Sequence, residues 1–161
     1  PALHGVLSQL MDDEPVLFQE MALLKPPGGR EKPWHQDCAY FNYPLDTVIV
    51  GVWIALDAAT IDNGCLHIMP GTHREGPIEH FKVRDWQICD TEVQRERDVA
   101  VPLAPGGCLL WHGLLHHGSP QNDSRRMRRA LQFHYQPAGA AKTSTEERMQ
   151  HFGGEVRGAE C

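Results

Sequence analysis

Glycine and proline cut the chain into short apolar or alternating runs, and this punctuation constrains the fold more than any other feature. Residues 47–56 (TVIVGVWIAL) are β-branched and apolar on both parities, the pattern of a strand covered on both faces. Residues 16–24 (VLFQEMALL) suit a strand that stops at Lys25-Pro26-Pro27-Gly28-Gly29, which cannot continue a ladder. Asp62-Asn63-Gly64 predicts a tight turn into a strand over 65–69, closed by Pro70-Gly71-Thr72-His73. Two further short strands, 99–103 and 107–112, are separated by Ala104-Pro105-Gly106-Gly107. Residues 128–136 (RRALQFHYQ) alternate, with Arg129, Leu131, Phe133 and Tyr135 on one face and Arg128, Ala130, Gln132, His134 and Gln136 on the other. The apolar face is expected to pack, and the polar face to meet water or a polar cavity.

Helix is sparse. Leu3, Val6, Leu7 and Leu10 have the spacing of one short amphipathic helix, stopped by Asp12-Asp13-Glu14-Pro15. Residues 74–97 are charged, contain Trp86 and lack clear periodicity, which predicts a long excursion with at most a helical turn or two. Beyond Pro137 the chain turns small and polar, so 138–161 reads as a mobile tail and 1–137 as one domain. Many short strands between Gly/Pro turns point to an antiparallel sandwich or barrel.

With 161 residues, 41% hydrophobic and 22% charged, one real core is affordable and disorder, collagen or coiled coil is not indicated. A formal charge of −6 opposes attraction to phosphate backbones, so no nucleic acid partner is expected. Five scattered cysteines (Cys38, Cys65, Cys89, Cys108, Cys161), odd in number and without CxxC, argue against a disulfide framework or zinc ribbon. They suggest the cytoplasm or another reducing intracellular compartment. No apolar run reaches the roughly 18 residues of a membrane span, so no membrane partner is expected. The chain opens at Pro1 without an initiator methionine, so an upstream segment, including any targeting signal, is expected to be missing.

The chemistry concentrates in WHQDCAY, residues 34–40. Residues i and i+2 of an extended segment project from one face, about 6 to 7 Å apart, so His35 and Asp37 can hold one ion together. A histidine from a distant strand would complete two imidazoles and one carboxylate on one side of a metal. That facial triad leaves about three positions open, as non-heme Fe(II) oxygenases need for a chelating co-substrate and dioxygen. The triplet alone is a weak signal, and His112, His116 and His117 compete for the third place on composition.

Three runs add context: KPPGGREKPWHQDCAYF, VWIALDAATIDNGCLHIMPGTH and HHGSPQNDSRRMRRALQFHY. In this order, across residues 16–136, the chain resembles the phytanoyl-CoA dioxygenase family of Fe(II)/2-oxoglutarate oxygenases. The resemblance implies an all-β dominated fold, a double-stranded β-helix (jelly-roll, cupin-like) barrel with a few short flanking helices. It places the family's HxD on His35 and Asp37 and its distal histidine, which precedes Gly-Ser, on His117; His116 should point away. The arginine that pairs with the far carboxylate of 2-oxoglutarate falls eleven positions on, at Arg128, whose planar donor fork suits a carboxylate. Met21, Trp53 and Ser119 match further 2-oxoglutarate contacts.

Plainer roles stand beside these. Trp53 can simply fill the core, and Met21 can simply pack. Arg125, Arg126 and Arg129 suit a solvated edge or the phosphates of a CoA-linked substrate. Gln132 and His134 can line the pocket or satisfy each other; His67 and His73 suit structural or surface roles; Cys38 and Tyr40 are candidates for the substrate wall.

The implied cofactors are Fe(2+), 2-oxoglutarate and O2, and the implied partner is a small-molecule substrate, an acyl-CoA or other carboxylic acid derivative. 2-Oxoglutarate would be decarboxylated to succinate and CO2 while a substrate C–H bond is hydroxylated. Related halogenases carry a small residue where this chain has Asp37, so the carboxylate implies hydroxylation. A non-catalytic jelly-roll metal- or ligand-binding module is the rival reading, although it would have no reason to keep Ser119 and Arg128. A zinc hydrolase would use the same ligands, but no general base is placed for it. The family's further N-terminal segment braces its barrel, so these 161 residues are expected to fold poorly alone.

Overall fold

A computed structural model describes residues 2–153 and 161. Helix α1 (Ala2–Met11) forms where the spacing predicts one, but its buried residues are Leu7 and Met11, while Val6 and Leu10 of the expected stripe are exposed. Each such burial is worth about 2 kcal/mol in transfer free energy. Asp12, in the left-handed region at φ 53°, turns the chain out of the helix.

Strands β1 (Pro15–Lys25), β2 (Lys32–His35), β3 (Val50–Ala55) and β4 (Leu66–Ile68) follow. After β5 (His80–Lys82) and β6 (Trp86–Ile88) come β7 (Val99–Val101), β8 (Cys108–His112), β9 (His117–Ser119), β10 (Arg128–Pro137) and helix α2 (Thr145–Phe152). They form two four-stranded sheets, β1-β10-β3-β8 and β2-β9-β4-β7, beside a β5–β6 pair. Every strand pair among the described residues is antiparallel, and the arrangement is the jelly roll expected from the sequence.

β3 explains why its sequence is apolar on both parities. Trp53 and Ala55 join the core between the sheets, with Leu66, Trp111 and Ala130. Val50 and Val52 enter a second cluster under α1, with Leu7 and Met11. In β10 the inward and outward faces are the reverse of a simple hydrophobic sorting. The mostly polar face carrying Arg128, Ala130, Gln132 and His134 is buried, while Leu131, Phe133 and Tyr135 are only half-buried and Arg129 is exposed. The barrel interior is therefore a polar-lined cavity, and α1 supplies the cover for Phe133 and Tyr135.

The turn at 62–64 is a short 3-10 turn, Ile61–Asn63, capped by Gly64 at φ 75°. A side chain at Gly64 would be strained by that angle and would also collide with the Pro120 carbonyl.

Three expectations are corrected. The excursion over 74–97 contains the β5–β6 hairpin, whose His80, Phe81, Gln87 and Ile88 are buried. Its strands are three residues long, too short for a period to register. Arg84 ties the hairpin to Glu31 at 2.7 Å, and Lys32 reaches Asp85 at 2.5 Å. The tail is not simply mobile: in α2 the Ser144 hydroxyl caps Glu147 N at 3.0 Å, and Phe152 packs against Ala39 and Leu114. One buried aromatic anchors this helix, so no apolar stripe announced it. The rest of that predicted tail, 154–160, lies outside the described residues. Finally, Cys89 and Cys161 form a disulfide, against the expectation of none; a separation of 72 residues gave no spacing signal. No helix among the described residues is long and apolar enough to cross a membrane.

Candidate metal centre

Strand pairing brings the two histidines together. His35 ends β2, His117 begins β9, and the two are direct cross-strand partners with ring centroids 4.2 Å apart. Asp37 corrects one detail of the sequence reading, because it opens a 3-10 turn (Asp37–Tyr40) instead of continuing the strand. Gln36 between them stays extended at φ −110°, ψ 134°, so His35 and Asp37 still reach the same side.

Gln36 itself points the other way, and its role was invisible in the sequence. Its amide nitrogen donates to Gly76 O (2.9 Å) and Leu114 O (2.8 Å), and its amide oxygen accepts from Ile78 N (3.0 Å). Its backbone N–H donates to His80 Nε2 (3.0 Å). Cys38 N donates to Gly113 O (3.0 Å), so the ligand-bearing turn is pinned on both sides.

His35, Asp37 and His117 are all buried, and their ligand atoms lie within 4.8 Å of one another. Asp37 Oδ1 is 3.7 Å from His35 Nε2 and 3.6 Å from His117 Nε2. The other ring nitrogens meet backbone carbonyls, His35 Nδ1 at Pro33 O (2.7 Å) and His117 Nδ1 at Leu115 O (2.9 Å). A carbonyl only accepts, so each Nδ1 carries a proton, and with an ion bound each Nε2 would offer its lone pair to the common centre. Burial and the adjacent His117 hold His35 well below the usual histidine range, which keeps it neutral.

The second oxygen of Asp37 is occupied. Trp111 Nε1 donates to Oδ2 at 2.7 Å, and His134 Nε2 stands 3.1 Å from it. Burial opposes the Asp37 charge, yet the surrounding His117, His134 and His35 hold its carboxyl well below the usual carboxylate range. Donors on Oδ2 leave Oδ1 to act as a single-oxygen ligand. Trp111 and the His134 contact with Asp37 were missed at sequence level; the inward parity of β10 was the available signal for His134.

A cavity of about 560 Å³ opens from these groups. All seven residues predicted from the sequence line it: Met21, His35, Asp37, Trp53, His117, Ser119 and Arg128. At its far end Arg128 Nη2 donates to Gly64 O (3.0 Å) and Ser119 Oγ (3.1 Å), while the guanidinium lies 5.3 Å over the Trp53 ring. Two buried donors there, Trp53 Nε1 and Arg128 Nε, have no acceptor among the described residues. Orphaned donors beside a buried cation suit an anionic ligand. Met21 faces Gln132 across β1–β10, and Gln132 faces Trp53 across β10–β3.

Gln132 and His134 both line the cavity; Gln132 Nε2 lies 3.2 Å from His134 Nε2, but that ring nitrogen is turned to Asp37 Oδ2, so the lining role is the one the geometry favours. Tyr40 is on the wall, whereas Cys38 is not among the lining residues. His116 is outside the ligand group, and His112 stacks near His73 at 5.7 Å. His67 pairs with Asp98 at 2.7 Å.

The chain is 32% identical over 160 residues to phytanoyl-CoA dioxygenase domain-containing protein 1 of Danio rerio, covering 93% of this chain and 55% of that protein. It is 32% identical over 143 residues to the peroxisomal phytanoyl-CoA dioxygenase of Bos taurus, covering 81% of this chain and 42% of that one. The chain thus spans about half the length of the curated relatives it matches. Among solved structures, EvdO2 from Micromonospora carbonacea var. aurantiaca complexed with 2-oxoglutarate superposes with a TM-score of 0.76 at 31% identity, over 93% of this chain and 64% of that one. The profile described as Phytanoyl-CoA dioxygenase (PhyH) matches residues 3–130, and the chain belongs to that family.

Proposed function

We propose that the protein is an Fe(II)- and 2-oxoglutarate-dependent dioxygenase that hydroxylates a C–H bond of a small organic or acyl-type substrate. The observation that carries this reading is the convergence of Asp37 Oδ1 with two histidine Nε2 atoms whose Nδ1 protons are tied to backbone carbonyls. Two neutral imidazoles and one carboxylate on one side of an ion leave positions for a chelating co-substrate and dioxygen. Support also comes from the 2-oxoglutarate held by EvdO2.

Bound iron would supply the oxidative chemistry: substrate R–H, O2 and 2-oxoglutarate become R–OH, succinate and CO2. The protein's own part is placement. His35, Asp37 and His117 would hold the ion, while Trp111 and His134 engage Asp37 Oδ2 and leave Oδ1 free for it. Arg128 and Ser119 hold the far carboxylate of 2-oxoglutarate, Trp53 offers its free indole N–H, and Met21 closes the wall. Phe41 and Tyr40 line the same cavity and give an acyl-type substrate an aromatic surface.

The test is succinate release from 2-oxoglutarate by Fe(II)-loaded full-length protein across a panel of acyl and small organic acids, with Asp37→Ala as the blank. Equal 2-oxoglutarate consumption by both proteins would defeat the assignment.

A further inference from the structure

A second cation stands beside Arg128. Lys25, the last residue of β1, is the direct cross-strand partner of Arg128 on β10. Both line the cavity, Lys25 at 8% exposure and Arg128 at 3%. Their donors meet on one atom, since Lys25 Nζ and Arg128 Nη2 both donate to Ser119 Oγ. The ammonium also donates to the Ser119 carbonyl at 3.2 Å and to the Pro120 carbonyl. Room for it exists because residue 64 is glycine, where a Cβ would lie 3.1 Å from Lys25 Nζ.

Among the described residues, neither cation forms an ion pair with a carboxylate. Neutral donors such as an amide would satisfy the same carbonyls and hydroxyl. What only an ammonium adds is charge, and two buried like charges without a counter-anion are costly. Burial and the Arg128 guanidinium accordingly hold Lys25 down to about 8. An incoming carboxylate relieves that cost for both side chains.

We propose that Lys25 is a specificity-determining residue of the cavity's anion end, where its ammonium acts with Arg128 to select a co-substrate bearing a carboxylate at the end remote from the metal. This rests on the 2-oxoglutarate reading above. Lys25 acts by charge and by orienting the Ser119 hydroxyl, so it is a positioning residue and not a catalytic one.

The experiment is calorimetric titration of the full-length, Ni(II)-loaded protein with 2-oxoglutarate and with 2-oxobutyrate, which keeps the chelating head and lacks the remote carboxylate. Wild type binds 2-oxoglutarate more tightly. Lys25→Gln keeps hydrogen-bond donors but loses the charge, and weakens 2-oxoglutarate about tenfold, some 1.4 kcal/mol, while leaving 2-oxobutyrate unchanged. Lys25→Arg restores most of the preference. Equal weakening of both acids would make Lys25 a structural tether, and no change in either would remove its role; both results overturn the proposal. A wild type that does not distinguish the acids would defeat the 2-oxoglutarate reading itself, and the proposal with it.

Should Lys25→Gln fail to fold, the wild-type preference is followed against pH. Bound anion raises the Lys25 value above its free one, so the contribution is complete below about 8 and falls as pH rises through the higher, bound value. The other charged or titratable groups facing Lys25 are Arg128, Glu31 and Cys65, and Cys65→Ser removes the thiol as a source of the effect. A preference that stays flat from about pH 7 to about pH 10 overturns the proposal as well.

Discussion

Trp111 on β8 donates its indole N–H to Asp37 Oδ2 at 2.7 Å, on the oxygen that does not face His35 and His117. The bond converts a carboxylate with two equivalent oxygens into a ligand with one. Trp111→Phe keeps the ring and deletes the donor, and metal affinity is expected to fall about tenfold, within the usual range for an outer partner of a ligand. Metal titration against wild type, with the fold monitored by circular dichroism, measures it.

Gly51 on β3 is the residue directly opposite Trp111. A Cβ at this position would lie 2.5 Å from Trp111 Cζ2 and closer still to Cε2, a clash with the indole, so only glycine lets the ring lie where it reaches Asp37. Gly51→Ala is expected to cost about 1–3 kcal/mol by overpacking. It should weaken metal binding too, although Gly51 touches no ligand. Denaturant unfolding and metal titration read the two effects separately.

His117→Ala should lose at least about a hundredfold in metal affinity, more than any outer-partner change, because it deletes one of the three proposed ligands. His116→Ala, one position earlier, should leave metal affinity within a factor of about two. Parallel metal titrations compare them, and equal losses would put the wrong histidine at the centre.

His80 is fully buried, donates Nδ1–H to Ile78 O at 2.9 Å and accepts from Gln36 N, and burial holds it down to about 4. His116 is likewise lowered by burial to about 4. Both values are depressed, so the unfolded chain takes up these protons first as pH falls. The contribution of these two histidines should therefore be level above pH ~6.5 and decline as pH drops from there toward about 4, by up to about 3 kcal/mol from His80 alone. Melting temperatures of metal-free protein at pH ~7.5, ~6 and ~5 test it; a rise on acidification would contradict the reading.

Phe152 at 1% exposure is the aromatic anchor of α2, set against Ala39 and Leu114. Phe152→Ala should cost about 3 kcal/mol and release α2, which limited proteolysis in the region of residues 138–153 would detect. Ala39 lies in the 3-10 turn that begins with Asp37, and Arg148 of α2 donates to its carbonyl. Metal affinity should fall as the turn loosens.

How much of this was legible depended on length and locality. α1, β1 and β3 were readable because their patterns run for six residues or more. The ligand triad and the cavity residues came from local motifs and their resemblance to a family, and the strands then carry all of them to one cavity. The β5–β6 hairpin escaped because three-residue strands have no period, and α2 because a single Phe152 holds it. Lys25 escaped for another reason: in the sequence it belongs to a Lys-Pro-Pro loop signal, and only its pairing with Arg128 shows the ammonium turned inward. Trp111 and Gln36 act through contacts 74 and 78 residues away in sequence, a range that periodicity does not sample.

β10 presents Arg128, Gln132 and His134 inward at every second or fourth position, so one continuous ribbon serves both the anion end and the Asp37 carboxylate. A slip of a single residue against β1 or β3 would rotate Arg129, Leu131, Phe133 and Tyr135 into their places. The three inward groups therefore cannot be lost piecemeal through misalignment: with this strand in its frame all of them are present, and out of frame they vanish together.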